Sequence, residues 1–311
     1  MEGAGMTTKD NEVKTVGVIG LGSMGQGMAQ SMIRKGLPVA GFDVAAKAVA
    51  ALEAAGGRAA ATGADAAKNA DILVVVVVNA AQVEAVLFGD GGTAAAMKAG
   101  GVIISSVTMS PDDARRFAGK AQALGLHFLD APISGGAAKA ATGQLTVMAS
   151  GSAEAFAAAR PALDAMAATV YELGSEPGQG AAFKMVNQLL AGVHIAAACE
   201  AVAFAARLGL DLPTVYKVIT ASAGNSWMFE NRVPHIVDGD YTPRSAVDIF
   251  TKDLGIVSDM GRSEKFPLAM SAAALQMFLA TAAAGMGRDD DASVARMLAQ
   301  ITGVKLPQGG A

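Results

Sequence analysis

Several groups of residues in this 311-residue chain have the types and spacing to do chemistry. Gly20, Gly22 and Gly25 have the G-x-G-x-x-G spacing, between the apolar run Val16-Gly17-Val18-Ile19 and a helix expected over 23–36. In that spacing one glycine closes the turn, the next lets backbone approach a pyrophosphate, and the last packs helix on strand. N–H groups at the helix start then face phosphate with the helix dipole behind them. A second apolar run, Pro38 to Phe42, ends at Asp43. An acid there can accept both ribose hydroxyls of an adenosine and would repel a 2′-phosphate. Val44 and Ala45 follow it, with no arginine. The chemistry expected is dinucleotide binding with NAD preferred to NADP.

Lys184, Asn187 and Gln188 stand at i, i+3 and i+4 near the start of an alanine- and leucine-rich helical stretch, so they share a face. Two readings of Lys184 stand side by side. Either it is buried and used or paired, because a buried ammonium is costly otherwise, or it snorkels out at an exposed helix start. The run Asp130-Ala131-Pro132-Ile133-Ser134-Gly135-Gly136 lies where a strand ends, the place where ligands bind in open α/β sheets. Ser134 with the Gly135 and Gly136 amides would suit a carboxylate, or the run is a surface turn. Lys252-Asp253 lies inside an expected helix, and spacing alone pairs Lys252 with Asp248 on its surface. Asp289-Asp290-Asp291 reads as a helix start in a solvated loop.

The elements that must position these groups change character along the chain. Strands are expected near 13–20, 38–43, 57–61, 71–78, 101–105 and 126–130, with helices over 23–36, 45–55, 63–69, 80–87 and 111–124. Leu73 to Val78 is apolar without alternation, as in a strand covered on both faces. Alternating strand and helix predict a doubly wound, mostly parallel α/β Rossmann-type domain. Two more strand-like segments, 144–150 and 168–173, extend it, and a break rich in glycine and proline follows at 174–180. Beyond it only helices are expected: one from 181 to about 208, one begun by Asp211 as cap, and others over 245–264, 267–284 and 292–300. The expected organisation is a disordered leader over 1–12, a dinucleotide-binding domain over 13–175, an all-helical domain over 176–305 and a tail over 306–311.

Composition bounds the partners. A formal charge of −4 argues against a general nucleic-acid surface, and 52% hydrophobic residues allow large cores. The lone cysteine, Cys199, excludes an intramolecular disulfide and reads as a small core residue in a reducing, cytoplasmic setting. His127, His194 and His235 lack metal-ligand spacing, so no metal is expected. Leu189 to Cys199 is too short for a membrane span, and a soluble chain is expected. The alanine-rich helical domain suggests self-association, since close helix packing could bury a second interface.

Together these motifs resemble the β-hydroxyacid dehydrogenase family, which includes 3-hydroxyisobutyrate dehydrogenase and tartronate semialdehyde reductase. The resemblance runs from Val13 to about Gly303. It is carried by Gly20-Leu21-Gly22-Ser23-Met24-Gly25, by Asp130 to Gly136 with Ala141 to Thr146, by Gly180-Ala181-Ala182-Phe183-Lys184, and by Lys252-Asp253. It implies a small hydroxy-acid substrate, a homodimer or homotetramer, and Lys184 as catalytic acid/base. Ser134, Gly135 and Gly136 would hold the substrate carboxylate, and Asn187 and Gln188 would position the lysine or bind a substrate hydroxyl. Cofactor contacts are implied from Gly20, Leu21, Gly22, Ser23, Met24, Gly25, Asp43, Val78, Asn79, Thr108 and Lys252. A free lysine, with a pKa of about 10.4, is a poor base near neutrality. Desolvation in a cleft and a nearby cationic nicotinamide are expected to lower it.

Three positions depart from the usual family pattern. Gln188 replaces a second asparagine, Ser106-Val107-Thr108 replaces Asp-Ser-Thr, and Ser245 stands where many relatives have phenylalanine. A smaller, polar Ser245 would admit a more hydroxylated substrate. The stretches 78–83, 188–197, 223–232 and 238–248 resemble the L-threonate dehydrogenase branch. The resemblance to that branch implies oxidation of a four-carbon sugar acid at C2 with NAD. Other hydroxy-acid specificities of the family, an imine reductase and a non-catalytic dinucleotide-binding module are the rival readings. Imine reductases usually lack the lysine.

Overall fold

The computed structural model describes residues 13–309, so the expected leader over 1–12 and the end of the tail lie outside the described residues. Two compact units are present. One takes the chain up to Val107 together with Pro111–Gly180; the other takes Thr108–Ser110 and the chain from Ala181 onward.

The first unit is built on short strands, buried except at the β3 edge, separated by helices: β1 Val16–Ile19, α1 Ser23–Arg34, β2 Val39–Phe42, α2 Ala46–Ala54, β3 Arg58–Ala59, α3 Gly63–Ala67, β4 Ile72–Val75, α4 Ala80–Phe88, β5 Val102–Ser105, α5 Pro111–Ala123 and β6 His127–Asp130. The strands form one parallel sheet in the order β3-β2-β1-β4-β5-β6. Val18 lies between Gly41 and Val74 in register. The chain winds outward from β1 to β3, then returns to β4 on the other side of β1. The crevice at the carboxyl ends of β1 and β4 is therefore the topological switch point, where such sheets bind ligands. Ile72 to Val75 are fully buried, as their unbroken apolar run requires. The strand ends earlier than expected. Val76 still donates to Ile19 O, but Val78 is 49% exposed, because β1 turns away at Gly20 and leaves nothing to pair with.

The two strand-like segments after β6 form a second, three-stranded sheet in place of an extension of the first. Its members are β7 Ile133–Ser134, β8 Leu145–Ala149 and β9 Ala167–Glu172. α6 Gly136–Thr142 links the antiparallel β7 and β8, and α7 Ala153–Met166 crosses between the parallel β8 and β9. α6 packs on α1, where Ser31 Oγ donates to Ala140 O at 2.8 Å. A Cβ on Gly27 would lie 2.7 Å from Ala141 N.

The second unit is helical: α8 Gln179–Arg207, α9 Leu212–Thr220, α10 Trp227–Asp238, α11 Val247–Ser263, α12 Ala269–Thr281 and α13 Val294–Thr302. Asp211 caps α9 through Thr214 N at 3.0 Å. No helix is expected from sequence over α6, α7 or α10. Pro161 and Pro234 lie inside the last two, which counts against helix locally. Ser152 and Ser226 cap them, and burial of Phe156, Leu163, Phe229 and Val233 outweighs the prolines. α8 is long and apolar enough to cross a bilayer, yet half of its most apolar window is buried inside the protein. Cys199 is fully buried on it, and burial pushes its thiol up.

The aspartate triplet does begin a helical turn, Asp291–Ser293, but only Asp289 of the three reaches solvent. Asp290 and Asp291 are fully buried. Asp291 receives Arg232 in a two-pronged ion pair, Nε at 2.6 Å and Nη2 at 3.0 Å. Asp290 Oδ1 lies 2.8 Å from His235 Nδ1, and Asp290 also accepts from Arg244 N and Ala292 N. Arg244 can only donate, so at 2.6 Å it makes His235 Nε2 the acceptor and places the imidazole proton on Nδ1. Burial opposes the Asp290 charge, but these donors hold its carboxyl below the ordinary value. Ser245 O accepts from Asp291 N at 2.8 Å, which ties Ser245 to this network.

Candidate active site

The glycine turn is shaped by three different constraints. Gly20 has φ +91°, and a Cβ there would meet Val76 O at 2.7 Å. A Cβ on Gly25 would lie 1.9 Å from Gly20 O, so the first turn of α1 closes directly on the strand end. Gly22 is exposed and a Cβ there would meet nothing within 4 Å. The open face at Gly22 beside the exposed Ser23 is the space a pyrophosphate needs at a helix N-terminus, so the residues present fit a dinucleotide. Leu21 is buried and Met24 half-buried beneath that face.

Asp43, half-buried at the end of β2, completes this half of the site. Its Oδ2 accepts from Leu21 N at 2.7 Å and its Oδ1 from Ala45 N at 2.8 Å. Each oxygen keeps a lone pair for a ribose hydroxyl. Across the switch point, Asn79 Oδ1 caps α4 through Gln82 N at 2.9 Å, and Val78 N donates to Gln82 Oε1 at 2.8 Å. Those groups are engaged locally, and what Asn79 still offers is its amide nitrogen.

Ser134 is half-buried on β7, paired in register with Thr146. Gly135 and Gly136 follow with φ +132° and +76°, values L side chains rarely adopt. This places the three residues at the start of α6, with Gly136 exposed.

The helical unit gathers the other expected residues around one carboxylate. Lys184 and Gln188 are each 7% exposed, one turn apart on α8. Gln188 Nε2 donates to Asp253 Oδ2, and Gln188 Oε1 accepts from Asn187 Nδ2 at 2.9 Å. Lys252 Nζ forms an ion pair with Asp253 Oδ1 at 2.7 Å and donates to Thr108 O at 3.3 Å. Thr108 and Lys252 are therefore neighbours, and the partner of Lys252 is Asp253, not the Asp248 that spacing suggested. Burial pushes the Lys184 ammonium down from 10.5 to about 8; Asp253 pulls it upward and Lys252 adds to the lowering. A buried lysine at that value can exchange a proton near neutral pH.

Asp253, 1% exposed, stands in the sequence only as part of the Lys252-Asp253 motif, with no role of its own expected. A signal existed. It lies on the stripe of α11 formed by Val247, Phe250, Leu254 and Val257, and a carboxylate on an apolar stripe needs partners.

The chain matches known protein families over most of its length. Residues 15–174 match a family described as the NAD binding domain of 6-phosphogluconate dehydrogenase. Residues 178–298 match one described as NAD-binding of NADP-dependent 3-hydroxyisobutyrate dehydrogenase. The chain is 52% identical over 303 residues to an L-threonate dehydrogenase of Haemophilus influenzae, covering 97% of this chain and 100% of that one. It is 51% identical over 288 residues to an L-threonate dehydrogenase of Escherichia coli K12, covering 92% and 95%. A crystal structure titled 3-hydroxyisobutyrate dehydrogenase, from Salmonella typhimurium, superimposes with a TM-score of 0.88 at 53% identity, covering 91% of this chain and 99% of that one.

Proposed function

The chain belongs to the 3-hydroxyisobutyrate dehydrogenase family, and from that premise we propose that it oxidises L-threonate at C2 to the 2-oxo acid, with NAD as acceptor. It is a nicotinamide-dinucleotide-dependent hydroxyacid dehydrogenase. The observation that carries the chemistry is Lys184, buried and brought down to about 8. The choice of L-threonate is supported by near-complete relatives of that name at 51–52% identity.

In this reading Lys184 takes the proton of the substrate hydroxyl as the C–H bond breaks. Bound NAD supplies the acceptor for the hydride. Ser134 and the Gly135 and Gly136 amides hold the substrate carboxylate, and Asn187 orients a substrate hydroxyl or the lysine. The Gly20 to Gly25 turn, Asp43, Val78, Asn79, Thr108 and Lys252 hold the dinucleotide, with Asp43 selecting NAD over NADP. In the reverse direction Lys184, protonated, returns the proton to the carbonyl oxygen.

The experiment is NADH formation from L-threonate, D-erythronate, D-glycerate and 3-hydroxyisobutyrate, compared by kcat/KM, with tartronate semialdehyde tested in reverse. L-Threonate should lead. A higher value for 3-hydroxyisobutyrate or tartronate semialdehyde would replace the substrate, and no turnover on any acid with tight NADH binding would favour the non-catalytic reading.

Self-association as a homodimer or homotetramer belongs to the same proposal. It is supported by an apolar groove of about 780 Å³ in the helical unit, lined by Phe204, Leu208, Leu210, Val218 and Phe229. Phe204, Leu208, Leu210 and Val218 are each more than half exposed. Light scattering after size exclusion reads the state directly. A cytoplasmic setting, without nucleic-acid or membrane partners, fits the net charge of −4 and the single buried thiol.

A further inference from the structure

We propose that Gln188 and Asp253 form a positioning pair that sets the proton affinity of Lys184, the amide fixing one carboxylate oxygen while Lys252 takes the other. This rests on the reading of Lys184 as the base.

Three observations carry it. Both ends of the Gln188 amide are engaged, Nε2 on Asp253 and Oε1 on Asn187, which fixes its orientation. Asp253 is 1% exposed, so its charge must be held by these neighbours and not by water. Gln188 lies one helical turn after Lys184, so the link runs from the lysine's own face of α8 to α11. An asparagine at 188 is one methylene shorter and would not span the same gap from the same backbone. This gives the glutamine at that position a physical reason.

Among the charged groups acting on Lys184 are Asp253 and Lys252, both on α11. Asp253 raises its proton affinity; burial and Lys252 lower it. The sign of a perturbation is therefore diagnostic. Removing the Asp253 charge takes away a raising influence while burial and Lys252 still lower, so Lys184 should titrate at lower pH. A merely structural lesion would admit water and move Lys184 upward, toward its ordinary value. Loss of the Gln188 amide should act oppositely to loss of the Asp253 charge. It frees an oxygen of a carboxylate that remains negative and can approach the lysine.

The test is competitive acetylation of Lys184 with acetic anhydride across pH in the full-length protein, read by mass spectrometry of its peptide. It is applied to the parent chain, Asp253→Asn, Gln188→Asn and the double variant. The midpoint should fall by about one pH unit in Asp253→Asn. It should rise in Gln188→Asn and return in the double variant to the Asp253→Asn value, since the freed group then carries no charge. Asp253→Leu tests the same charge if the asparagine variant does not fold. An unchanged or raised midpoint on removing the Asp253 charge overturns the proposal, as does a Gln188→Asn effect that is absent or that persists in the double variant. Labelling needs no turnover, so it separates this result from the assignment of the base. Full activity in Lys184→Ala would remove that assignment and leave the titration untouched.

Discussion

The Asp43 carboxylate accepts a hydrogen bond from the N–H of Leu21 at 2.7 Å, joining the end of β2 to the middle of the glycine turn. The same carboxylate that would meet the ribose therefore also shapes the turn that would meet the pyrophosphate. Asp43→Ala should weaken NAD by about 10- to 100-fold, the worth of a charge-assisted hydrogen bond, and weaken NADP less. Fluorescence titration with both reduced cofactors measures the ratio. Tighter binding of NADPH than NADH by the parent chain would contradict the role given to Asp43.

Gly22 and Gly25 should behave differently although they belong to one motif. Gly25→Ala drives a Cβ to 1.9 Å from Gly20 O and should lower thermal stability markedly. Gly22→Ala meets no protein atom within 4 Å and has φ −64°, so it should melt near the parent temperature while losing dinucleotide affinity. Calorimetry with and without NADH separates the two effects.

Lys184→Ala should reduce turnover by about 10²- to 10⁴-fold, the usual worth of general acid–base catalysis, with NADH binding retained. Near-parent turnover would sink the assignment.

The pH profile follows from the direction in which burial moves Lys184. Oxidation needs the neutral amine, so kcat/KM should fall below a limb near pH 8. Reduction needs the ammonium and should fall above the same value. Initial rates in both directions across pH 6 to 10, on the order of that limb's width, check the crossing.

Arg232 and Asp291 form a buried pair, 2.6 Å apart, in the helical unit. Asp291→Ala leaves a guanidinium without its counter-charge and should cost about 3–5 kcal/mol. The exposed pair Arg262–Asp259 offers the contrast: Arg262→Ala should change stability by about 1 kcal/mol or less. Urea unfolding curves for both variants provide the comparison.

Much of this protein was legible along the chain because its signals are local. Strand, glycine turn, helix and acid lie within Val16 to Asp43, and each needs only near neighbours to form. The parallel sheet followed from unbroken apolar runs such as Leu73 to Val75, and the face shared by Lys184 and Gln188 followed from helical periodicity alone. The surroundings of those residues were decided by contacts between distant segments. Asp253 and Gln188 are 65 residues apart, Asp291 and Arg232 59, and Asp290 and His235 55. Local spacing assigned Lys252 to Asp248 and put the aspartate triplet in solvent, because it registers only neighbours within a turn or two. A buried charge is stabilised by whatever partner the fold brings to it. For Asp253, Asp290 and Asp291 those partners include groups on other helices, and only tertiary packing brings them together.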